Sequence, residues 1–134
     1  MTAQPVVFDA SVAIAWYAPE TGSAIAARLQ KTAVPLLAPA FVQLEIANAL
    51  VMRMRRKLPT PPGYPEQALD ELRSGTAIFF PDAELLDGAM AISRRFLHPI
   101  YDCLYLTLAR REEALLATFD RRLATLATQL AIPL

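Results

Sequence analysis

Asp9, Glu45, Asp102 and Asp120 are the side chains of this 134-residue chain whose type and placement point most directly to chemistry. Asp9 closes the short apolar run Val6-Val7-Phe8, and Asp120 closes a second, Ala114-Leu115-Leu116-Ala117-Thr118-Phe119. Both runs read as strands, which puts both acids at a strand's carboxyl end. In open parallel sheets the ligand crevice lies outside those ends, so acids distant in sequence become neighbours in space. Gathered carboxylates hold hard divalent cations, and such cations serve phosphodiester cleavage by activating a water near neutral pH and neutralising phosphoryl charge. Four carboxylates within about 5 Å would repel by roughly 3 kcal/mol per pair at an effective dielectric near 20. Such a cluster takes up Mg²⁺ or Mn²⁺, or protons. Oxygen-only ligation argues against zinc, for which the chain has no Cys/His cluster.

A plainer role competes for three of the four. Asp9, Asp102 and Asp120 each precede a helical pattern by one or two residues, and Asp is among the best N-caps. Glu45 differs: it lies inside a helical pattern, three residues after Val42 and one before Ile46, where a carboxylate gains nothing by capping. An acid at the margin of an apolar stripe needs a partner or a cation.

The elements that must position these acids alternate. Val6 to Phe8 reads as strand, Ser11 to Tyr17 as a short helix stopped by Pro19, Ser23 to Lys31 as helix, and Pro35 to Ala38 as a second strand. The longest helix runs from Ala40 to about Lys57, with Val42, Ile46, Ala49, Leu50 and Met54 on one side and Arg53, Arg55, Arg56 and Lys57 in its last turn. Leu58 to Pro65 holds four prolines and must be loop. Pro65 opens a helix facing inward through Ala68, Leu69 and Leu72 and ended by Gly75. Ala77 to Phe80 is a third strand, and Asp82 stands where it would cap a helix to about Phe96, which Gly88 weakens. After His98-Pro99, Tyr101 to Arg111 is apolar on most sides and reads as a buried helix. The strand ending at Asp120, a helix from Arg121 to about Ala127, and Ile132-Pro133-Leu134 finish the chain. No hairpin signal joins any two strands, so the expectation is an α/β fold with a parallel sheet covered by helices on both faces.

Composition sets the bounds. The length suits one domain spanning residues 1–134, and equal numbers of basic and acidic residues exclude a long non-specific nucleic-acid footprint, leaving local contacts only. The single cysteine, Cys103, excludes an internal disulfide and fits a reducing cytosol. No run approaches the roughly 18 to 20 apolar residues of a membrane span, and the amino end lacks a signal peptide's basic start, so a soluble, cytoplasmic protein is expected. An apolar share of 54 % suggests that some apolar surface is covered by a partner.

Four fragments together carry a resemblance: Val-Val-Phe-Asp9-Ala-Ser11, Glu45-Ile-Ala-Asn48-Ala-Leu, Tyr101-Asp102-Cys-Leu-Tyr105-Leu-Thr-Leu-Ala, and Ala-Thr118-Phe-Asp120-Arg-Arg-Leu. In this order and spacing, over nearly the whole chain, they resemble the PIN-domain ribonucleases and, within them, the VapC-type toxins. The resemblance implies a PIN-like three-layer sandwich with a parallel sheet of about four to five strands. It implies an endoribonuclease dependent on Mg²⁺ or Mn²⁺, an RNA substrate, a VapB-type antitoxin partner and a homodimer. Carried over, Asp9, Glu45, Asp102 and Asp120 would be the catalytic, metal-binding acids, with Ser11, Asn48 and Thr118 as polar support. The proline-rich loop from Leu58 to Pro65 departs from the pattern, since such toxins more usually have a short turn there.

Other residues invite competing readings. Cys103 and His98 have the types of a thiol and base pair, against a buried small hydrophobe and a loop histidine. The basic end of the long helix, and Arg121 and Arg122 beside Asp120, can touch RNA phosphates or simply be solvated. Trp16 and Tyr17 read as core or interface. Two other functions share the opening strand and Asp. A phosphoaspartyl hydrolase of the haloacid-dehalogenase type wants a second Asp two residues on, where this chain has Ser11. A catalytically silent interaction module would use the acids only as caps.

Overall fold

Burial on both faces is what a continuous apolar run needs, and the two central strands obtain it. In the computed structural model, which describes residues 3–17, 23–58 and 63–134, β1 (Val6–Phe8) and β2 (Leu36–Pro39) are buried at every position. β3 (Ile78–Phe80) and β4 (Leu115–Ala117) are the edges and are partly exposed, Ile78 by 51 %. All pairings are parallel, in the order β3-β2-β1-β4. The chain thus builds outward from β1 through β2 to β3 and then returns to β1's other side. The carboxyl ends of β1 and β4 flank this reversal, the place where an open parallel sheet forms its crevice.

Among the described residues seven helices flank the sheet: α1 (Ala10–Tyr17), α2 (Ser23–Gln30), α3 (Phe41–Arg55), α4 (Glu66–Ser74), α5 (Asp82–Phe96), α6 (Ile100–Arg111) and α7 (Arg121–Gln129). As its pattern requires, α6 is buried, lying against β1, β2 and β4 with α5 packed along it. α1 packs against α2 and α3. Trp16 belongs to this packing, tilted on Phe8 at 5.0 Å and donating its indole N–H to Ala26 O at 2.7 Å. α3 buries Val42, Ile46 and Leu50, but Met54 is 45 % exposed. At about 100° per residue Met54 has rotated off the stripe.

Two sequence expectations need correction, and a third gains a reason. The last strand stops at Ala117 rather than Phe119, because Thr118 and Phe119 turn away to hydrogen-bond the start of α1. Asp82 does not cap its own helix: it is the first residue of α5, and its Oδ1 instead accepts from Phe41 N at 3.0 Å, capping α3 from across the sheet's edge. Ala40, the residue preceding α3, offers no side-chain oxygen, so the distant acid satisfies an otherwise orphaned donor. Gly88 also has a packing reason, since a Cβ there would lie 2.6 Å from Thr107 Cγ2, so that the Thr107 side chain or the helix would have to shift. The stop at Pro19 and residues 59–62 of the proline-rich loop lie outside the described residues.

Candidate active site

β1 and β4 remain side by side as they leave the sheet, Phe8 opposite Ala117 and Asp9 N donating to Ala117 O at 3.3 Å. This brings Asp9 against Thr118. Asp9 Oδ1 accepts from Ser11 Oγ at 2.6 Å and from Val12 N at 3.2 Å, and its Oδ2 accepts from Thr118 Oγ1. Both hydroxyls accept in turn, Ser11 Oγ from Phe119 N at 2.9 Å and Thr118 Oγ1 from Asp120 N at 3.0 Å. One carboxylate therefore locks the start of α1 to the turn that delivers Asp120. Asp9 is 5 % exposed, the buried charged residue among those described. Burial raises its pKa above the ordinary carboxylate value, the bonds from Ser11, Thr118 and Val12 oppose the rise, and the charge of Asp120 adds to it.

Glu45 comes from the second turn of α3, the helix that follows β2, and its Oε1 accepts from Tyr105 OH of α6. Burial raises the Glu45 pKa, the Tyr105 bond opposes this, and the charges of Asp102, Asp9 and Asp120 all push it further up. Three aspartates from three separate places in the chain thus act on one carboxyl. The same crowding reaches Tyr105, whose phenol is pushed far above its usual range by burial and then by Glu45, Asp9 and Asp102.

Asp102 and Asp120 fill different local roles. Asp120 is the N-cap of α7, its Oδ1 accepting from Arg122 N at 2.9 Å and Leu123 N at 3.1 Å. Asp102 is no cap: it sits in the first turn of α6, after Pro99, and its Oδ2 lies 2.7 Å from His98 Nε2. Capping and clustering are therefore compatible, because Asp9 and Asp120 cap helices while belonging to the acid group. Ser11 and Thr118 are drawn into the group through Asp9. Asn48, one turn beyond Glu45, is exposed and makes no side-chain hydrogen bond among the described residues.

The donor chemistry suits a hard cation. Four carboxylates and two hydroxyls supply oxygen only, and the one histidine is turned to Asp102. Among the described residues no three acid, His or Cys side chains converge on a single coordination point. A divalent ion bound among these acids would relieve the repulsion between them.

The competing pairs separate cleanly. Cys103 is buried, its thiol pushed up to about 11 by burial and the Asp102 charge, and His98 faces Asp102 rather than sulfur. The thiol–base reading has no nucleophile. Arg55, Arg56 and Lys57 are exposed ten or more residues past Glu45, about 15 Å along the helix at 1.5 Å per residue. Arg121 and Arg122 are exposed immediately after Asp120. Reading the sequence missed His98 and Tyr105. The four-residue spacing of His98 and Asp102 was a usable signal, whereas Tyr105 meets an acid 60 residues away, which no local pattern announces.

The parallel sheet flanked by helices belongs to a known class: residues 6–129 match the PIN domain family, and the chain belongs to it. More particularly, it is 37 % identical over 123 residues to Ribonuclease VapC3 of Mycobacterium tuberculosis, in both strain CDC 1551 / Oshkosh and strain ATCC 25618 / H37Rv, covering 90 % of this chain and 86 % of that protein. Two solved structures share the fold. PAE2754 from Pyrobaculum aerophilum superposes with a TM-score of 0.68 at 21 % identity, covering 96 % of this chain and 90 % of the other. VapC20 of Mycobacterium tuberculosis, a toxin that cleaves the sarcin-ricin loop, does so with a TM-score of 0.70 at 18 % identity, covering 90 % and 93 %. Family membership sets aside the phosphoaspartyl hydrolase, and Ser11 stands where that chemistry needs its second acid.

Proposed function

We propose that this protein is a VapC-type endoribonuclease, the toxin of a toxin–antitoxin pair, which cleaves RNA with Mg²⁺ or Mn²⁺. The observation that carries the reading is the family match over residues 6–129 together with Asp9 buried where β1 and β4 leave the sheet, bonded by Ser11 and Thr118; burial raises the Glu45 pKa, and the charges of Asp102, Asp9 and Asp120 add to the rise. The 37 % identity to a protein named as a ribonuclease supports the same conclusion.

In this reading Asp9, Asp102 and Asp120 would hold the cation, Glu45 would complete the set or orient the attacking water, and Ser11 and Thr118 keep Asp9 in place. The cation supplies charge neutralisation at the phosphoryl oxygens and a lowered pKa for water. Tyr105 fixes the Glu45 carboxylate by donating to it, so a proton taken from water has one defined oxygen as its neighbour. Arg121 and Arg122 flank the scissile phosphate, and in-line displacement leaves a 5′-phosphate and a 3′-hydroxyl. Asn48, exposed one turn from Glu45, would lend polar support at the rim of the site.

Partner surfaces accompany this activity. A cleft lined by Val12, Ile25, Leu29, Phe119 and Leu134 adjoins Thr118, and it suits the apolar arm of a VapB-type antitoxin that sets a basic residue among the acids. Leu44, Val51 and Met54 on α3, and Leu86 and Met90 on α5, are exposed at helical spacing and support a homodimer. No helix among the described residues is long and apolar enough to cross a membrane. Action in the cytoplasm, where Cys103 stays reduced, agrees with this.

The test is cleavage of mixed RNA by purified protein with Mg²⁺, with Mn²⁺, and with excess chelator. Cleavage with metal and none with chelator is expected. Undiminished cleavage in chelator refutes the metal-dependent nuclease, and no cleavage under any condition with intact fold favours a silent module.

A further inference from the structure

The corner between α5 and α6 carries the only histidine of the chain. Leu97 ends α5 in the left-handed region at φ 50°. Ser93 Oγ then donates to His98 O at 2.5 Å, His98 N donates to Ser93 O at 3.2 Å, and Cys103 Sγ donates to Pro99 O at 3.5 Å. The backbone around His98 is held from both helices before the ring makes any contact. The ring meets Asp102 at 2.7 Å, Nε2 against Oδ2, a contact that the tautomer with hydrogen on Nε2 would make by donating to the carboxylate. The His98 side chain is only 10 % exposed, and that of Asp102 is 29 % exposed.

We propose that His98 is a positioning residue for Asp102, holding that carboxylate at the acid edge through the Nε2–Oδ2 bond. The inference rests on Asp102 being one of the cation-holding acids. Its physical reason is the charge Asp102 faces: Glu45 repels it, α6 leaves it partly open to water, and an unheld carboxylate there would turn toward solvent. A proton donor fixed by the corner opposes that rotation. Groups that orient metal-binding side chains in this way commonly change affinity or rate by about 10- to 100-fold when removed. A bond serving only to staple the corner would alter stability and nothing else.

The experiment uses the full chain. First, with chelator present, the imidazole nitrogens are observed by NMR, unambiguous because the histidine is single. A protonated Nε2 whose resonance moves in Asp102→Ala is expected, and a resonance that does not move overturns the contact. Second, Mn²⁺ affinity by calorimetry and single-turnover RNA cleavage are compared for wild type, His98→Ala, His98→Gln and His98→Asn. The glutamine amide reaches about as far as Nε2, while that of asparagine falls short. His98→Ala and His98→Asn are expected to weaken Mn²⁺ binding and slow cleavage by about 10- to 100-fold. RNA binding in chelator stays within about twofold, and His98→Gln restores most of the loss. If His98→Ala does not fold, the contrast of Gln with Asn decides. Wild-type binding and cleavage matched within about twofold by every His98 variant overturns the positioning role alone. A Gln variant as impaired as Asn overturns it too. A wild type that neither binds Mn²⁺ nor cuts RNA overturns the proposed nuclease and this role with it.

Discussion

Replacing Asp9 by asparagine should make the metal-free protein more stable while destroying its activity. The cap that Asp9 provides at Val12 N and its bond from Ser11 survive, because asparagine Oδ1 accepts from both as the carboxylate does, and Asn caps about as well as Asp. Thr118 needs only to rotate its hydroxyl to accept from the new amide. The loss is the extra strength of bonds to a charge, about 1 kcal/mol for each of the three. Against it stands the burial of an ionised carboxylate at 5 % exposure, several kcal/mol by itself, plus repulsion from Asp120. The raised pKa says which side wins: burial outweighs the three bonds. The variant should therefore melt above the wild type in chelator, each kcal/mol gained raising Tm by roughly 3 to 5 °C for a domain of this size. Differential scanning fluorimetry in chelator reads it. Mn²⁺ should then raise the wild-type Tm more than the mutant's, since a ligand of the folded state stabilises in proportion to its affinity. RNA cleavage should fall by more than about 100-fold, beyond what loss of an orienting group costs. A mutant that melts lower than wild type in chelator and still cleaves RNA at the wild-type rate would sink the reasoning.

Three further outcomes follow from particular contacts. Asp9 and Glu45 have folded pKa values raised above their unfolded ones, so the stability they contribute is complete below the unfolded pKa and lost as pH rises through the folded pKa. The Tm in chelator should therefore fall from about pH 4 upward relative to a Glu45→Gln variant, and saturating Mn²⁺ should flatten the difference. Gly88→Ala should destabilise by about 1 to 3 kcal/mol despite its better helix propensity, because its Cβ meets Thr107 Cγ2 at 2.6 Å. Thr107→Ser, which removes that methyl, should recover most of the loss in urea titrations. Asp82→Ala should cost about 0.5 to 2 kcal/mol by uncapping α3 at Phe41 N, with hydrogen exchange accelerating in the first turn of α3 rather than α5.

Local pattern determined much of this protein. Strand and helix alternate as the apolar runs require, and the absence of hairpin signals leads to a wholly parallel sheet because parallel neighbours need long crossovers. The placement of Asp9 after β1, of Glu45 inside α3 and of Asp120 ahead of α7 was legible for the same reason, since each is set by its own element. What no local pattern carries is which elements touch. β1 lies between β2 and β4, and only that neighbour relation puts Thr118 on Asp9 and turns two hydroxyls into a link between segments more than 100 residues apart. Asp82 has the sequence context of a cap for α5 yet caps α3, because a donor's partner is chosen by proximity in three dimensions. The acids' pKa values also belong to the tertiary structure. Burial and mutual charge, neither of them a property of any single residue, push Asp9 and Glu45 upward, and packing of α6 between sheet and α5 is what brings Tyr105 and Asp102 to them.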